Sequence, residues 1–143
     1  MNAYRRVLCA IDLTEDSHAV ATKAAALAAA WQSEIRLLNV VEFVPIEPLS
    51  DSLMPVVQID EHAIDRARAE LRVLADSTGV PADCTQVVGG SVKAELLRQA
   101  RDWQADLIVL GSRERHGLSI LVNLTEDTVL HGACCDVLAV RVR

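Results

Sequence analysis

The chain has 143 residues, 51% of them hydrophobic and only 3% aromatic, with a formal net charge of −6. That length suits one domain, spanning 1–143, that buries about two thirds of its unfolded surface without needing disulfide or metal staples. The acidic balance lacks the basic stripe of a duplex binder, and so few aromatic rings offer no stacking platform for single strands, so nucleic acid is excluded as an expected partner.

Taken in chain order, the elements alternate. Arg5–Ile11 predicts a first strand, which Asp12 ends. That apolar run is too short for the core of a signal peptide, and no stretch reaches the roughly eighteen apolar residues of a membrane span. The expectation is a cytoplasmic chain with no membrane contact. Thr14–Trp31 is alanine-rich and predicts a helix, with Thr14 as N-cap and Glu15 and Asp16 complementing its positive end. Glu34–Val41 predicts the second strand.

A long irregular stretch follows, from Glu42 to Gln58, holding Pro45, Pro48 and Pro55. Its apolar residues favour covering a surface, as a lid or contact segment does. Ile59–Thr78 then carries Ala63, Ala67, Leu71, Leu74 and Thr78 at helical spacing, with Arg66 and Glu70 as an i,i+4 pair, and Gly79-Val80-Pro81 stops it. Asp83–Val88 predicts the third strand. Ser91 caps a third helix with Leu96, Leu97 and Ala100 on its inner face. Asp106–Leu110 predicts the fourth strand, Thr125 caps a short helix ending near His131-Gly132, and Asp136–Val142 is the fifth strand. Near-continuous apolar runs such as Leu107-Ile108-Val109-Leu110 suit a parallel sheet covered on both faces. The pattern therefore implies a three-layer α/β/α domain with right-handed crossovers.

Ligands of open α/β sheets bind beyond the carboxyl ends of the strands, where strand order reverses. The segment after the first strand, Asp12-Leu13-Thr14-Glu15-Asp16-Ser17, has no glycine, so the dinucleotide fingerprint is absent. Gly89-Gly90-Ser91-Val92-Lys93 has the ingredients of an NTPase phosphate loop in the wrong spacing, and no nucleophile elbow is present. A phosphorylated receiver domain matches only through Asp12. The four cysteines, Cys9, Cys84, Cys134 and Cys135, form no C-x-x-C pair and read as reduced, mostly buried thiols. His131, Cys134 and Cys135 lie close together, but zinc sites use separated ligand pairs, so no metal site is expected. No Ser–His–Asp or Cys–His catalytic set emerges.

Several separate blocks share one likeness. Arg6-Val7-Leu8-Cys9-Ala10-Ile11-Asp12, Ile35-Arg36-Leu37-Leu38-Asn39-Val40, Gly90-Ser91-Val92, Ala105–Arg113 with Gly117-Leu118, and His131–Arg141 together resemble the universal stress protein family across the whole chain. The resemblance implies a five-stranded parallel sheet of order 3-2-1-4-5, the adenine nucleotide alpha-hydrolase-like arrangement. It implies that an aspartate like Asp12 and a residue like Val40 lie near adenosine in nucleotide-binding members, with a G-x2-G-x9-G-[ST] loop on the phosphates. Glycines there turn the backbone and present N–H groups to anionic oxygens. Gly111 fits the first glycine, and Thr125 fits the final position. Glu114 and Leu124 stand where the second and third glycines belong. Arg113 and Gly117 complete the candidate nucleotide-binding set of Asp12, Val40, Gly111, Arg113, Gly117 and Thr125.

The broken loop favours the branch of the family that lacks the complete ATP site. Its expected role is a stress-response protein acting through dimerisation and protein contacts, without catalysis or cofactor. The alternative is an ATP-binding sensor or slow ATPase using ATP with magnesium. The fifth strand ends the chain at the sheet border, and an unprotected edge of that kind invites pairing. The resemblance implies a homodimer with these strands side by side, which places Val137, Leu138, Ala139, Val140, Arg141 and Val142 at the interface.

Overall fold

The computed structural model describes residues 3–42, 45–46, 56–57, 61–113, 129 and 131–142. In chain order these form β1 (Arg6–Ala10), α1 (Ser17–Trp31), β2 (Glu34–Glu42), β3 (Pro45–Ile46), β4 (Val56–Val57), α2 (Glu61–Thr78), β5 (Thr85–Gly90), α3 (Val92–Asp102), β6 (Leu107–Arg113) and β7 (Asp136–Val142). Residues 129 and 131–132 are also helical. The main sheet has the order β5-β2-β1-β6-β7 with every pairing parallel. In terms of the five expected strands this is 3-2-1-4-5, as anticipated.

The apolar runs are continuous because both faces of the sheet are covered. On one face Val7, Cys9, Leu37, Leu107 and Val109 pack with Val20, Ala21, Ala24 and Ala28 of α1 and Leu71 and Ala75 of α2. On the other, Leu8, Leu38, Ile108 and Leu110 pack with Leu96 and Ala100 of α3 and with Val129. Successive residues of one strand thus enter opposite cores, the period of two that a pleated strand imposes. The largest fully buried side chains are leucine, isoleucine and valine, the aliphatic core that the composition requires.

Local differences from the sequence reading have physical causes. Helix α1 begins at Ser17, and its N-cap is Asp16 rather than Thr14. The Thr14 hydroxyl instead donates to Asp12 Oδ1 at 2.8 Å, so it is committed elsewhere. Ser91 does occupy the N-cap of α3, although its side chain makes no capping bond. Residues Ala82–Cys84 form a 3-10 turn, so the third strand of the main sheet starts at Thr85 and runs on to Gly90. The stretch expected to be irregular contains the two-residue antiparallel ladder of β3 and β4. The ion pair on α2 joins Asp65 and Arg68 at 3.3 Å instead of Arg66 and Glu70. Helix α2 stops where expected: Gly79 takes φ +77°, and the Val80 N–H reaches back to the Ala75 carbonyl at 2.9 Å. Of the cysteines only Cys9 is buried. Cys84 and Cys135 are half-buried and Cys134 is exposed, because the last three lie at strand entrances rather than in the sheet.

Candidate functional site

Strands β1 and β6 are neighbours, yet the chain leaves β1 toward β2 on one side and β6 toward β7 on the other. Their carboxyl ends therefore flank the point where strand order reverses, the crevice that open α/β sheets use for ligands. The loop after β1 is shaped by three residues. Asp12 Oδ1 accepts from the Thr14 hydroxyl at 2.8 Å, the Ser17 hydroxyl at 3.0 Å and the Thr14 N–H at 3.3 Å. The Ser17 hydroxyl also accepts from the Thr14 N–H at 3.0 Å. Ser17 is buried, whereas Asp12 is exposed. Between Asp12 and Thr14, Leu13 holds φ +57°, a left-handed conformation that a leucine rarely adopts. The turn it makes brings the Thr14 donors back onto the aspartate.

A second support was missed in the sequence. Asn39 is buried in β2, and its side-chain N–H donates to the Ile11 carbonyl at 2.8 Å. The Ile11 N–H in turn reaches the Leu38 carbonyl at 2.8 Å. The end of β1 is thus held to β2 through both its donor and its acceptor. The available signal was an amide alone within an apolar strand, since a buried side chain of that kind must find a partner.

Val40 lies one residue further along β2, half-buried against the α3-side core. Gly111 lies on β6 opposite Val140. A Cβ added at Gly111 would stand 3.0 Å from Val20 Cγ2 of α1, so the missing side chain also lets α1 sit close to the sheet. Arg113 ends β6 opposite Val142. Asp12, Val40 and Gly111 therefore occupy the carboxyl ends of three adjacent strands. Gly117 and Thr125, and with them Glu114 and Leu124, lie outside the described residues. Among the described residues, no three His, Cys, Asp or Glu side chains converge as a metal site, and no helix is long and apolar enough to cross a membrane.

The expected interface strand is the border of the sheet. In β7, Leu138, Val140 and Val142 turn toward the core shared with α1, while Val137 packs on the other face. Ala139 and Arg141 are exposed.

Residues 3–141 match the sequence pattern of the universal stress protein family. Universal stress protein A homolog 2 of Coxiella burnetii is 32% identical over 144 residues, spanning 100% of this chain and 99% of the relative. Two solved structures share the fold. The universal stress protein UspA from Lactobacillus plantarum has a TM-score of 0.70 at 24% identity, covering 96% of this chain and 98% of its own. A universal stress protein in complex with cAMP has a TM-score of 0.62 at 23% identity, covering 96% of this chain and 97% of its own. With the strand order, the full-length match and the crevice at the strand reversal all in agreement, this chain belongs to the universal stress protein family.

Proposed function

We propose that this chain is a cytoplasmic stress-response protein that works as a homodimer paired along β7, through contacts with other proteins and without catalysis. The observation that carries this reading is the state of Asp12. Its Oδ1 takes three donors from its own loop, which gives the residue a structural task that needs no ligand. The sequence beyond β6 supports the same reading, because Glu114 and Leu124 replace two glycines of the phosphate loop. A carboxylate there opposes phosphate, and a leucine lacks the backbone freedom of glycine. Pairing along β7 is supported by its border position and the apolar Val137, Leu138, Ala139 and Val140.

Two measurements test this. Protein purified without added nucleotide, then denatured, is expected to release no near-stoichiometric adenine compound; a clear ATP signal would sink the reading. Light scattering is expected to give the mass of a dimer for the native chain and of a monomer for Val140→Pro, with circular dichroism confirming that the variant folds. A folded Val140→Pro dimer of unchanged stability excludes the β7 interface.

The second reading, an adenine-nucleotide sensor or slow ATPase, is favoured by one observation: a relative of the same fold is known in complex with cAMP. Asp12, Val40 and Gly111 would then border the base and sugar, with Arg113, Gly117 and Thr125 toward the phosphates and magnesium alongside ATP. Calorimetric titration with Mg-ATP and with cAMP decides between the readings. Absence of heat and of thermal stabilisation at millimolar ligand eliminates the second.

A further inference from the structure

We propose that Cys134 and Cys135 form a vicinal dithiol site that captures trivalent arsenic compounds. The inference rests on neither the dimer nor the nucleotide reading. Both thiols are free, and they differ in a useful way. Cys134 is exposed, so an incoming reagent reaches it first. Cys135 is half-buried against the core that holds Leu8, Leu38 and Ile108, so the second sulfur is held in place by packing. The two residues also sit between hydrogen-bonded elements. The Ala133 N–H closes the preceding helical turn on the Val129 carbonyl at 2.9 Å, and β7 begins at Asp136 opposite Leu107. Cys134 and Cys135 form the bend between these two elements.

The chemistry of the pair selects the ligand. A structural zinc ion asks for four ligands from separated pairs, and among the described residues no three such groups converge. Burial, reinforced by Asp136 and by Cys134 itself, raises the Cys135 thiol above its ordinary range, so the exposed Cys134 reacts first and presents the bound reagent to its neighbour. Trivalent arsenic is soft and prefers sulfur. When it carries one organic substituent it needs only two thiols. An arsenoxide reacts so that two As–S bonds form, the As–O bond breaks, and both thiol protons leave with the oxygen as water. Arsenic stays trivalent throughout, and no oxidant or reductant enters. The other thiols offer no second pair: Cys9 is buried in β1, and Cys84 stands before β5 at the opposite border of the sheet.

The test uses the full chain and phenylarsine oxide, read by intact mass. The expected product is a single adduct whose mass is that of protein plus reagent less one water. It should survive excess glutathione, a monothiol, and be removed by dimercaptopropanol, a dithiol. Cys134→Ser and Cys135→Ala should each lose the glutathione-resistant adduct, while Cys84→Ser keeps it. Cys134 is exposed, so its serine variant tests the pair even if Cys135→Ala alters folding. Absence of an adduct, release of the adduct by glutathione, or retention in Cys134→Ser each overturns the proposal.

Discussion

At the amino end of the sheet Asp106 accepts N–H bonds from Arg5 and Arg6, residues 101 and 100 positions away, at 2.8 and 2.9 Å. At the carboxyl end Asp12 accepts three bonds from residues two and five positions away. The first aspartate joins segments that the chain must bring together; the second folds a loop onto itself. The difference extends to their neighbours. The Arg6 guanidinium donates to the Trp103 carbonyl at 3.0 Å, the Tyr4 hydroxyl to Asp136 Oδ2 at 2.8 Å, and the Ser33 hydroxyl to the Tyr4 carbonyl at 2.8 Å. The Arg36 guanidinium lies 4.4 Å from the centre of the Trp103 ring, close enough for a cation–π contact. Among the described residues, long-range side-chain bonds thus gather where strands enter the sheet, while the exit of β1 is shaped by a short turn and the buried Asn39 amide.

The largest expected effect lies between the two ends and sets the scale for both. Cys9 sits in the middle of β1, and burial pushes its thiol up to about 12. On unfolding, that thiol returns to an ordinary pKa near 9, so the stability it contributes is complete below about pH 9 and is lost as pH rises toward 12. The slope is about 1.4 kcal/mol per pH unit. The Tyr4 phenol, raised by its bond to Asp136, adds a loss of the same sign at the amino end. Denaturant titrations across the alkaline range should show a shallower slope for Cys9→Ala than for the native chain; equal slopes would refute the assignment. Asp106→Asn comes next. The substitution keeps one acceptor and turns an amide toward the second N–H, so about 2 kcal/mol should be lost, on the order of 8 °C in Tm. A shift under about 2 °C would remove the contrast between the ends.

What the sequence discloses follows the same division. The two-faced core is legible because Val7, Leu8 and Cys9, or Leu107 to Leu110, have no polar residue to spare for solvent, whereas strand order is legible only through the family resemblance. The crevice is legible as a place through the same resemblance, and Asp12, Val40 and Gly111 do lie at or near the carboxyl ends of adjacent strands. The staples are not. Asp106 and Asp136 read as strand entrances, and nothing local shows that their donors are the Arg5 and Arg6 N–H groups and the Tyr4 hydroxyl, since those partners are close only in three dimensions. Thr14 reads as a helix cap because its type and position suit one. Its hydroxyl goes to Asp12 instead, a choice set by the left-handed turn at Leu13, which no leucine announces.

Asn39 is the carboxyl end's own long-range tie, and it narrows the comparison. Asn39→Leu keeps the branched outline of the side chain but leaves the Ile11 carbonyl without that donor in a buried setting, which costs about 1–2 kcal/mol. Hydrogen exchange should then speed up at the Ile11 N–H, which bonds the Leu38 carbonyl, while protection at Arg5 and Arg6 is unchanged. Equal loosening at both ends would mean that the sheet responds as one unit, and that the division drawn between its ends has no energetic content.

Asp12→Asn is the smallest change and the sharpest counterpart to Asp106→Asn. The three bonds it accepts from Thr14 and Ser17 all meet Oδ1, so an asparagine that keeps its oxygen there retains each of them and turns its new amide away. The side chain is exposed, which lets water serve that amide. Stability should therefore stay within about 0.5 kcal/mol of the native chain, against the several-fold larger loss at Asp106. The same variant separates structure from ligand binding. If Asp12 only closes its loop, the response to Mg-ATP or cAMP is the same before and after substitution. A variant of native stability that loses a nucleotide response seen in the native chain would assign the carboxylate charge to the ligand, and would move Asp12 from the loop's architecture to the crevice's chemistry.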